Sequence, residues 1–401
     1  LINAVLYESL MRKNRDNTEI INFATELWKR NMDNILNRLQ FEAYFQTFSH
    51  AVICMHYNGK SEEALELWEN YKDKMPSTNV GKYNSKQVEL CLCGENIEEL
   101  KERYNHLNKY LKNKFGERTL KLCVDGGFTC PNRDGKLSTG GCIFCGERGS
   151  GEHLKCENIS NQVKDYFTTY RSERANKFIV YFQNFTNTYD TISNLKSKYD
   201  SALIDSRIVG LQIATRPDCI NEEVCKLIKS YSDKYYVCVE LGLQTSNDKM
   251  GMLINRGYTS AQFTKAVLLL NKYKIDVVTH LMVGLPNEDF DDIKNSVDFI
   301  NSHDIQGIKI HSTYVIKNTV LADMYFKGEY IPIYLDYYSE CLTYILTHIS
   351  PEIVIHRISG DAPKDLLIAP EWNLHKKWVM NGLDKILRTQ DLWQGKFYKR
   401  N

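Results

Sequence analysis

Three cysteines with the spacing of metal ligands lie within one glycine-rich stretch. Cys130, Cys142 and Cys145 fall in GGFTCPNRDGKLSTGGCIFCGERGSG, residues 126–151. The Cys142–Cys145 pair can reach one metal centre from a single turn, and Cys130 can close the site from the other end of the loop. Three thiolates are one fewer than a fully protein-ligated iron–sulfur cluster uses. A [4Fe-4S] cluster bound here would therefore keep one iron open to a further ligand.

Two other interpretations of these cysteines stay open at this point. The trio could form a structural zinc site, with a histidine such as His153 as the fourth ligand. The three could also be unrelated buried residues, because free cysteine often packs as a small hydrophobic side chain. The surrounding glycines favour a metal-binding loop, since glycine lets backbone N–H groups turn toward sulfur without a Cβ clash.

The composition bounds the class of protein. A chain of 401 residues with 43% hydrophobic content predicts two or three packed domains, and a net charge of +1 gives no overall attraction to nucleic acid. The sequence has neither a run of eighteen apolar residues nor a signal-peptide pattern, so we expect no membrane span and a cytoplasmic location. Twelve cysteines without an export signal indicate a reducing compartment and metal chemistry.

The chain divides into three predicted domains. Residues 1–98 show helical periodicity, and GKSEEALELWENYKDKM has the spacing of a tetratricopeptide helix, although a small helical bundle is the simpler interpretation. Residues 99–311 alternate short apolar runs with amphipathic stretches, which predicts parallel βαβ units. Residues 312–401 predict a small C-terminal α+β cap.

The alternating region predicts the positions of the functional side chains. Its six apolar runs begin near residues 120, 178, 208, 236, 277 and 305, so the fold class is α/β, a partial (β/α)6 TIM-type barrel. The active site of such a barrel gathers at the carboxyl ends of the strands. The cysteine loop follows the first run directly. Polar residues at the ends of the other five runs are Gln183, Thr215, Arg216, Glu240, Gln244, His280, Lys309 and His311.

Two basic stretches also carry aromatic residues. The first, residues 97–118, contains Tyr104, Tyr110 and Phe115, and the second, near the C-terminus, contains Trp372, Trp378 and Trp393 among lysines. Basic and aromatic side chains together are typical of surfaces that bind RNA. They are equally compatible with aromatic residues that pack against the barrel and lysine stems that lie along apolar surface.

Eight motifs, in order, resemble a known family. They are GFTCPNRDG, YFQNFTNTY, ATRPD, VELGLQT, NRGY, HLMVGLP, GIKIH and HRISGDAP. Residues 100–401 thereby resemble the bacterial radical S-adenosylmethionine (SAM) proteins of the YhcC/YtqA type, which are similar to the radical domain of the elongator catalytic subunit. The resemblance does not extend to residues 1–95.

The resemblance implies a function and a set of site residues. Cys130, Cys142 and Cys145 would hold a [4Fe-4S] cluster whose open iron binds SAM. Reductive cleavage of SAM would then give a 5′-deoxyadenosyl radical that removes a substrate hydrogen, with tRNA as the expected substrate and flavodoxin or ferredoxin as the electron donor. Residues expected to bind the cofactor are Gln183, Thr215, Arg216, Glu240, Gln244, Arg256 and His280, and those expected near the substrate are Lys309 and His311.

Two departures limit what the resemblance implies. The elongator subunit has a glutamate directly before its TRPD motif, where this chain has Ala214. These 401 residues leave no room for the acetyltransferase domain of that subunit, so we do not expect acetyl-coenzyme A chemistry. Two alternatives to tRNA modification stay open: radical chemistry on a small molecule or protein, and a zinc-stabilised adaptor protein.

Overall fold

The computed structural model of the protein describes residues 32–57, 59–76, 103–149, 151 and 157–399, with seven further positions between 78 and 92. The chain separates into two compact units, residues 1–102 and 103–401. Each unit has its own hydrophobic core. None of the helices in the described ranges is long and apolar enough to cross a bilayer.

The described part of the first unit is helical. It contains a helical turn at 32–36 and the helices α1 (Glu42–Tyr57) and α2 (Ser61–Tyr71). Phe45, Phe48 and Trp68 are almost completely buried between these elements, and the rings of Phe48 and Trp68 stack. This aromatic core stabilises the helix pair, because burying large side chains is the main favourable term in packing. A tetratricopeptide-like arrangement stays a prediction.

A parallel sheet forms the centre of the second unit. In chain order the strands are β1 (Thr119–Val124), β2 (Lys177–Phe182), β3 (Ile208–Thr215), β4 (Tyr236–Gln244), β5 (Asp276–Val283), β6 (Gly307–Ser312), β7 (Val315–Ile316), β8 (Val354–Arg357) and β9 (Leu367–Ala369). Seven of these described strands pair in the order β1-β2-β3-β4-β5-β6-β8, all parallel, and β7 pairs with β9.

Helices surround this sheet. They are α3 (Leu107–Phe115), α4 (Ile159–Phe167), α5 (Ile192–Ala202), α6 (Glu222–Lys229), α7 (Asp248–Leu253), α8 (Ser260–Lys272), α9 (Phe290–Asn301), α10 (Val320–Phe326), α11 (Leu335–His348) and α12 (Lys376–Thr389). Polar side chains fix several helix starts by accepting hydrogen bonds from free backbone N–H groups. Thr259 and Asp289 do so within capping boxes that begin α8 and α9.

The sheet curls into a half-barrel, which confirms the predicted partial barrel. The six predicted apolar runs correspond to β1–β6. A seventh strand, β8, extends the sheet beyond β6. Its residues lie in the run VIHRISGDAP, which the sequence analysis assigned to the C-terminal cap. Val354 and Ile355 are buried, so the short run has the apolar character of a central strand.

Helix α3 lies at the amino ends of the strands, away from the cysteine loop. Its apolar residues Leu107 and Leu111 pack with Ile179 and Val354. Phe115 belongs to the same contact region, and its carbonyl oxygen accepts a hydrogen bond from Lys177, the first residue of β2. The aromatic side chains of the first basic stretch therefore pack against the barrel, which is the second of the two interpretations offered above.

Candidate functional site

A cavity of about 240 Å³ opens at the carboxyl ends of the strands. It is the place where the barrel architecture predicts an active site. Ten of the residues predicted from the sequence line it: Cys130, Cys142, Cys145, Gln183, Thr215, Arg216, Glu240, Gln244, His280 and His311. The half-barrel therefore brings together side chains from the cysteine loop and from the ends of β2 to β6.

Backbone hydrogen bonds hold the cysteine loop in shape. The carbonyl oxygen of Cys130 accepts from the N–H groups of Arg133 and Asp134, at 2.8 and 3.1 Å, and that of Cys142 accepts from Cys145 N–H at 3.0 Å. The Arg133 guanidinium donates to the Cys145 carbonyl oxygen at 2.7 Å. These bonds fix the backbone that carries all three thiols, so the loop is organised by the protein itself.

The segment Asn255–Tyr258 joins the cysteine loop to the end of β4. Asn255 Nδ2 donates to the Gly141 carbonyl oxygen at 2.6 Å, and Asn132 Nδ2 donates to the Asn255 carbonyl oxygen at 2.6 Å. At the other end, Tyr258 Oη donates to the Gly242 carbonyl oxygen at 2.8 Å. The NRGY motif therefore sets the position of the cysteine loop relative to the β4 end.

The three thiols fit the donor set of a [4Fe-4S] cluster. All three lie outside any disulfide, are partly accessible and are on the wall of one cavity. Burial and the nearby Cys145 raise the pKa of Cys142 to about 12, so this thiol needs the positive charge of bound iron to become a thiolate ligand. The cation of Arg216 acts on Cys142 in the opposite direction and would offset part of a cluster's negative charge.

The residues that the zinc interpretation needs are only partly described. Within the described ranges, no three His, Cys, Asp or Glu side chains are arranged as ligands of one metal ion. His153, the fourth ligand in that interpretation, lies outside the described residues.

Glu240 organises a buried polar network inside the barrel, below the cavity. Its Oε2 accepts from Tyr181 Oη at 2.6 Å, Lys309 Nζ at 2.5 Å and His280 Nε2 at 2.8 Å. Its Oε1 faces Lys121 Nζ at 3.4 Å and also accepts from Gln212. The Glu240 side chain is fully buried. A buried carboxylate is tolerated here because charged and neutral donors surround both of its oxygens.

Electrostatics shift the pKa values of the groups in this network. Burial alone would raise the pKa of Glu240, but Lys309, Lys121 and the His280 hydrogen bond outweigh it and hold that pKa well below its usual value. Burial lowers the pKa of Lys309 to about 7, despite the neighbouring carboxylate. Burial also lowers the pKa of His280, and that of His311 more strongly. Glu240 is therefore ionised at neutral pH and both histidines are neutral.

Two predicted site residues do not line the cavity. Lys309 is buried next to Glu240 and Tyr181, and its role near a substrate stays a prediction. Arg256 is completely buried, and its guanidinium donates to the carbonyl oxygens of Leu243 and Thr245 and to Asp248. Both side chains form hydrogen bonds that hold neighbouring elements in place. From the sequence alone, such a structural role cannot be distinguished from contact with a ligand.

The cavity wall also contains residues that were not predicted from the sequence. Among them are Phe185, Thr186, Tyr258 and Tyr314. Phe185 has a φ of 57°, a left-handed conformation that is unusual for a bulky residue. The Thr186 hydroxyl is buried without a protein partner, which suits contact with a ligand. Phe185 and Thr186 directly follow β2, so the strand-end rule could have found them.

Ala214 lies on the same wall, at the position where the elongator subunit has a glutamate. It is the penultimate residue of β3, and its carbonyl oxygen accepts from Asn187 Nδ2 at 2.8 Å. A methyl group in place of a carboxylate removes one possible polar contact to a cofactor. This difference is confined to one wall of the cavity.

Comparisons with known proteins agree with the geometry. Residues 132–300 match the Radical SAM superfamily, and residues 305–389 match the Radical_SAM C-terminal domain. The chain is 37% identical over 302 residues to the uncharacterized protein YtqA of Bacillus subtilis, an alignment that covers 75% of this chain and 94% of YtqA.

Two more distant similarities involve a tRNA-modifying enzyme and a solved structure. The chain is 30% identical over 168 residues to a tRNA uridine(34) acetyltransferase of Methanocaldococcus jannaschii, which covers 41% of this chain and 30% of that enzyme. The structure of an archaeal Elp3 from Methanocaldococcus infernus superposes with a TM-score of 0.53 at 19% identity, covering 69% of this chain and 64% of that one. The second similarity shows the shared half-barrel fold.

Proposed function

Because this chain belongs to the radical SAM superfamily, whose enzymes use a [4Fe-4S] cluster and SAM, we propose that it is a radical enzyme that modifies tRNA. One observation supports an active site in this cavity: Cys130, Cys142 and Cys145 lie on its wall, at the carboxyl ends of the strands. When bound, the reduced cluster and SAM supply a 5′-deoxyadenosyl radical, which removes a hydrogen atom from the substrate.

Other residues on the cavity wall are candidates for binding SAM in this proposal. Gln183, Thr215 and Gln244 are candidates for SAM contacts, because each lies at or directly after the carboxyl end of a strand, on the wall that also carries the cysteine loop. Gln244 has a φ of 67° at a register shift in β4, so its backbone departs from the strand and turns at the cavity. The protein's share is to bind, orient and shield the cofactors.

A basic and aromatic surface near the cavity supports an RNA substrate. Lys376, Lys377 and Trp378 are exposed in the first turn of α12. Asn373, just before this helix, contacts Ser312 at the end of β6, and Ser312 lines the cavity. Lys376 pairs with Asp361 at 3.3 Å, and Lys377 adds a second positive charge at the helix amino end, which also favours a bound phosphate. An exposed tryptophan beside them can stack on a base.

The similarity to a tRNA uridine(34) acetyltransferase supports tRNA as the class of RNA. The proposal does not include acetyl transfer, because that alignment covers only 30% of the acetyltransferase. An electron donor such as flavodoxin or ferredoxin belongs to the proposal as the source of the reducing electron. A cytoplasmic location follows from tRNA as substrate and is proposed with it.

Mass spectrometry of tRNA nucleosides tests this function. We expect one modified nucleoside to change in a strain that lacks the gene, to return with the wild-type gene and not to return with Cys142→Ala. Unchanged nucleosides in the deletion strain would overturn the tRNA part of the proposal, and radical chemistry on a small molecule or protein would then replace it.

A binding experiment tests the proposed RNA surface separately. The triple variant Lys376→Ala, Lys377→Ala, Trp378→Ala should bind tRNA at least about tenfold more weakly and with a shallower salt dependence, because phosphate contacts release counterions. The matched control is Lys109→Ala with Lys112→Ala, which removes two exposed lysines from α3 at the opposite end of the barrel. Equal losses in the two variants would contradict the assignment of this surface.

A further inference from the structure

A histidine and a carboxylate form a pair at the floor of the cavity. His280 lies on β5 and Glu240 on the adjacent β4, and His280 Nε2 lies 2.8 Å from Glu240 Oε2. Both residues line the cavity, but only the histidine retains measurable exposure, 20% of its side chain against none for Glu240. The His280 side chain therefore lies between the buried Glu240 carboxylate and a ligand bound in the cavity.

The carboxylate determines which nitrogen of His280 carries the proton. Glu240 is ionised because its pKa is held well below the usual value, so its oxygens can only accept hydrogen bonds. His280 Nε2 must then be the protonated nitrogen of a neutral ring. Within the described part of the chain, no residue forms a hydrogen bond with His280 Nδ1, and this atom is not buried. An unprotonated nitrogen with a free lone pair thus faces the cavity.

The groups around His280 favour this neutral form. From β6, Lys309 donates to the same carboxylate oxygen, and the His311 ring lies 5.4 Å from the His280 ring. Arg357 on β8 adds a further positive charge, and Tyr181 on β2 donates to the carboxylate. The cations disfavour a second proton on His280, while Glu240 would stabilise the imidazolium once a proton arrives.

We propose that His280 is the general base of this enzyme and that Glu240 is its positioning residue. This role rests on the proposed function only in placing the substrate in this cavity. The O–H bond of a substrate hydroxyl or an N–H bond of a substrate ammonium group breaks, an N–H bond forms at His280 Nδ1, and the electron pair stays on the substrate oxygen or nitrogen. The step involves no oxidant or reductant. The substrate would carry a hydroxyl or ammonium group next to the carbon that loses its hydrogen atom, since proton transfer from that group weakens the neighbouring C–H bond.

His311 completes the recognition of that polar group. Its Nε2 is buried without a protein partner, and the ring lines the same cavity. Burial lowers the His311 pKa well below its usual value, so the ring is neutral and its unpartnered Nε2 can form a hydrogen bond to a ligand. Two neutral imidazoles side by side suit a hydroxyl or ammonium group better than a strongly anionic group.

The first test measures the His280 tautomer in the cluster-loaded protein. Long-range 1H–15N NMR of protein labelled with 15N-histidine should show Nε2–H and unprotonated Nδ1 for His280 at pH 7.5, with the signal identified by its loss in His280→Gln. An Nδ1–H tautomer would overturn the proposal, because no base would then face the cavity. His303→Gln, which alters a histidine on the outer surface, is the matched assignment control.

The second test separates a base from a SAM ligand. Glutamine at position 280 can still donate to Glu240 but is not a base, so His280→Gln should lower product formation on total tRNA from the gene-deleted strain at least about 100-fold. The same variant should lower 5′-deoxyadenosine formation from SAM alone much less, so that the ratio of product to 5′-deoxyadenosine falls at least about tenfold. Equal losses of the two activities would overturn the proposal and make His280 a cofactor ligand. If wild-type enzyme gives no product on tRNA, the tRNA function fails, and the tautomer still decides the role of His280.

Discussion

The buried Glu240–Lys309 pair allows a quantitative test of the barrel interior. Lys309 Nζ lies 2.5 Å from Glu240 Oε2, and the two side chains are 5% and 0% exposed. Glu240→Met leaves Lys309 and Lys121 without their carboxylate, so it should destabilise the protein by about 3–5 kcal/mol. Lys309→Met should cost about 1–3 kcal/mol, because Glu240 retains Lys121 and its neutral hydrogen-bond donors.

The double variant measures the interaction within this pair. Because removal of both groups leaves no isolated carboxylate, the double variant should be more stable than the sum of the single losses predicts, by about 2 kcal/mol. Urea unfolding followed by far-UV circular dichroism, with all four proteins in the same cluster state, gives the free energies of unfolding. The exposed pair Lys294–Asp291, with atoms 2.8 Å apart, is the matched control and should show no resolvable coupling.

The pH dependence of the coupling has a definite sign. Burial lowers the pKa of Lys309 to about 7 in the folded protein, so the lysine loses its charge, and the pair much of its attraction, above that pH. The coupling should therefore be smaller at pH 9 than at pH 5.5. Additive single losses at pH 5.5, or a Lys309→Met loss larger than that of Glu240→Met, would refute this account of the network.

Two further predictions concern loops beside the cavity. Burial raises the pKa of Glu288 to about 8, from 4.5, so the stability it contributes is complete below pH 4.5 and is lost as the pH rises toward 8. The free energy of unfolding of Glu288→Gln, measured in urea, should therefore rise relative to that of wild type by about 1–3 kcal/mol between pH 5 and pH 8. This value is discounted for the partial exposure of the side chain. Glu352→Gln, which alters an exposed carboxylate, should show no such trend. Asn255→Ala removes the 2.6 Å hydrogen bond to Gly141 in the cysteine loop, so it should lower the iron content per protein without changing the circular dichroism spectrum. Asn271→Ala, which removes a surface hydrogen bond, should keep wild-type iron, and equal iron in both variants would contradict the role of Asn255.

Much of the fold could be predicted from local patterns. The six apolar runs and the helices between them are short-range features, and parallel βαβ units follow from their alternation. The cysteine loop could also be predicted, because all three cysteines, with the spacing of metal ligands, lie within sixteen consecutive residues, 130–145. β8 was assigned to the C-terminal cap because its short run is separated from β6 by more than forty residues.

The positions of individual side chains were harder to predict. Lys309 and His311 are two residues apart on β6 and point to the same interior side, yet only His311 reaches the cavity. Whether a side chain reaches the cavity depends on how close its residue lies to the carboxyl end of the strand. The sequence alone does not show where along the strand the cavity begins. Arg256 was expected to contact SAM because it belongs to a motif of the family, whereas its donors are occupied by backbone carbonyls and Asp248.

The measurement that tests the central account most directly is reductive cleavage of SAM by the reconstituted protein. Wild-type protein with a reduced cluster should convert SAM to 5′-deoxyadenosine and methionine, as measured by chromatography and mass spectrometry. Cys142→Ala should lose the iron–sulfur absorption and all cleavage while its circular dichroism spectrum stays unchanged. Wild-type protein that carries the cluster but forms no 5′-deoxyadenosine, or a Cys142→Ala variant with full activity, would contradict the account.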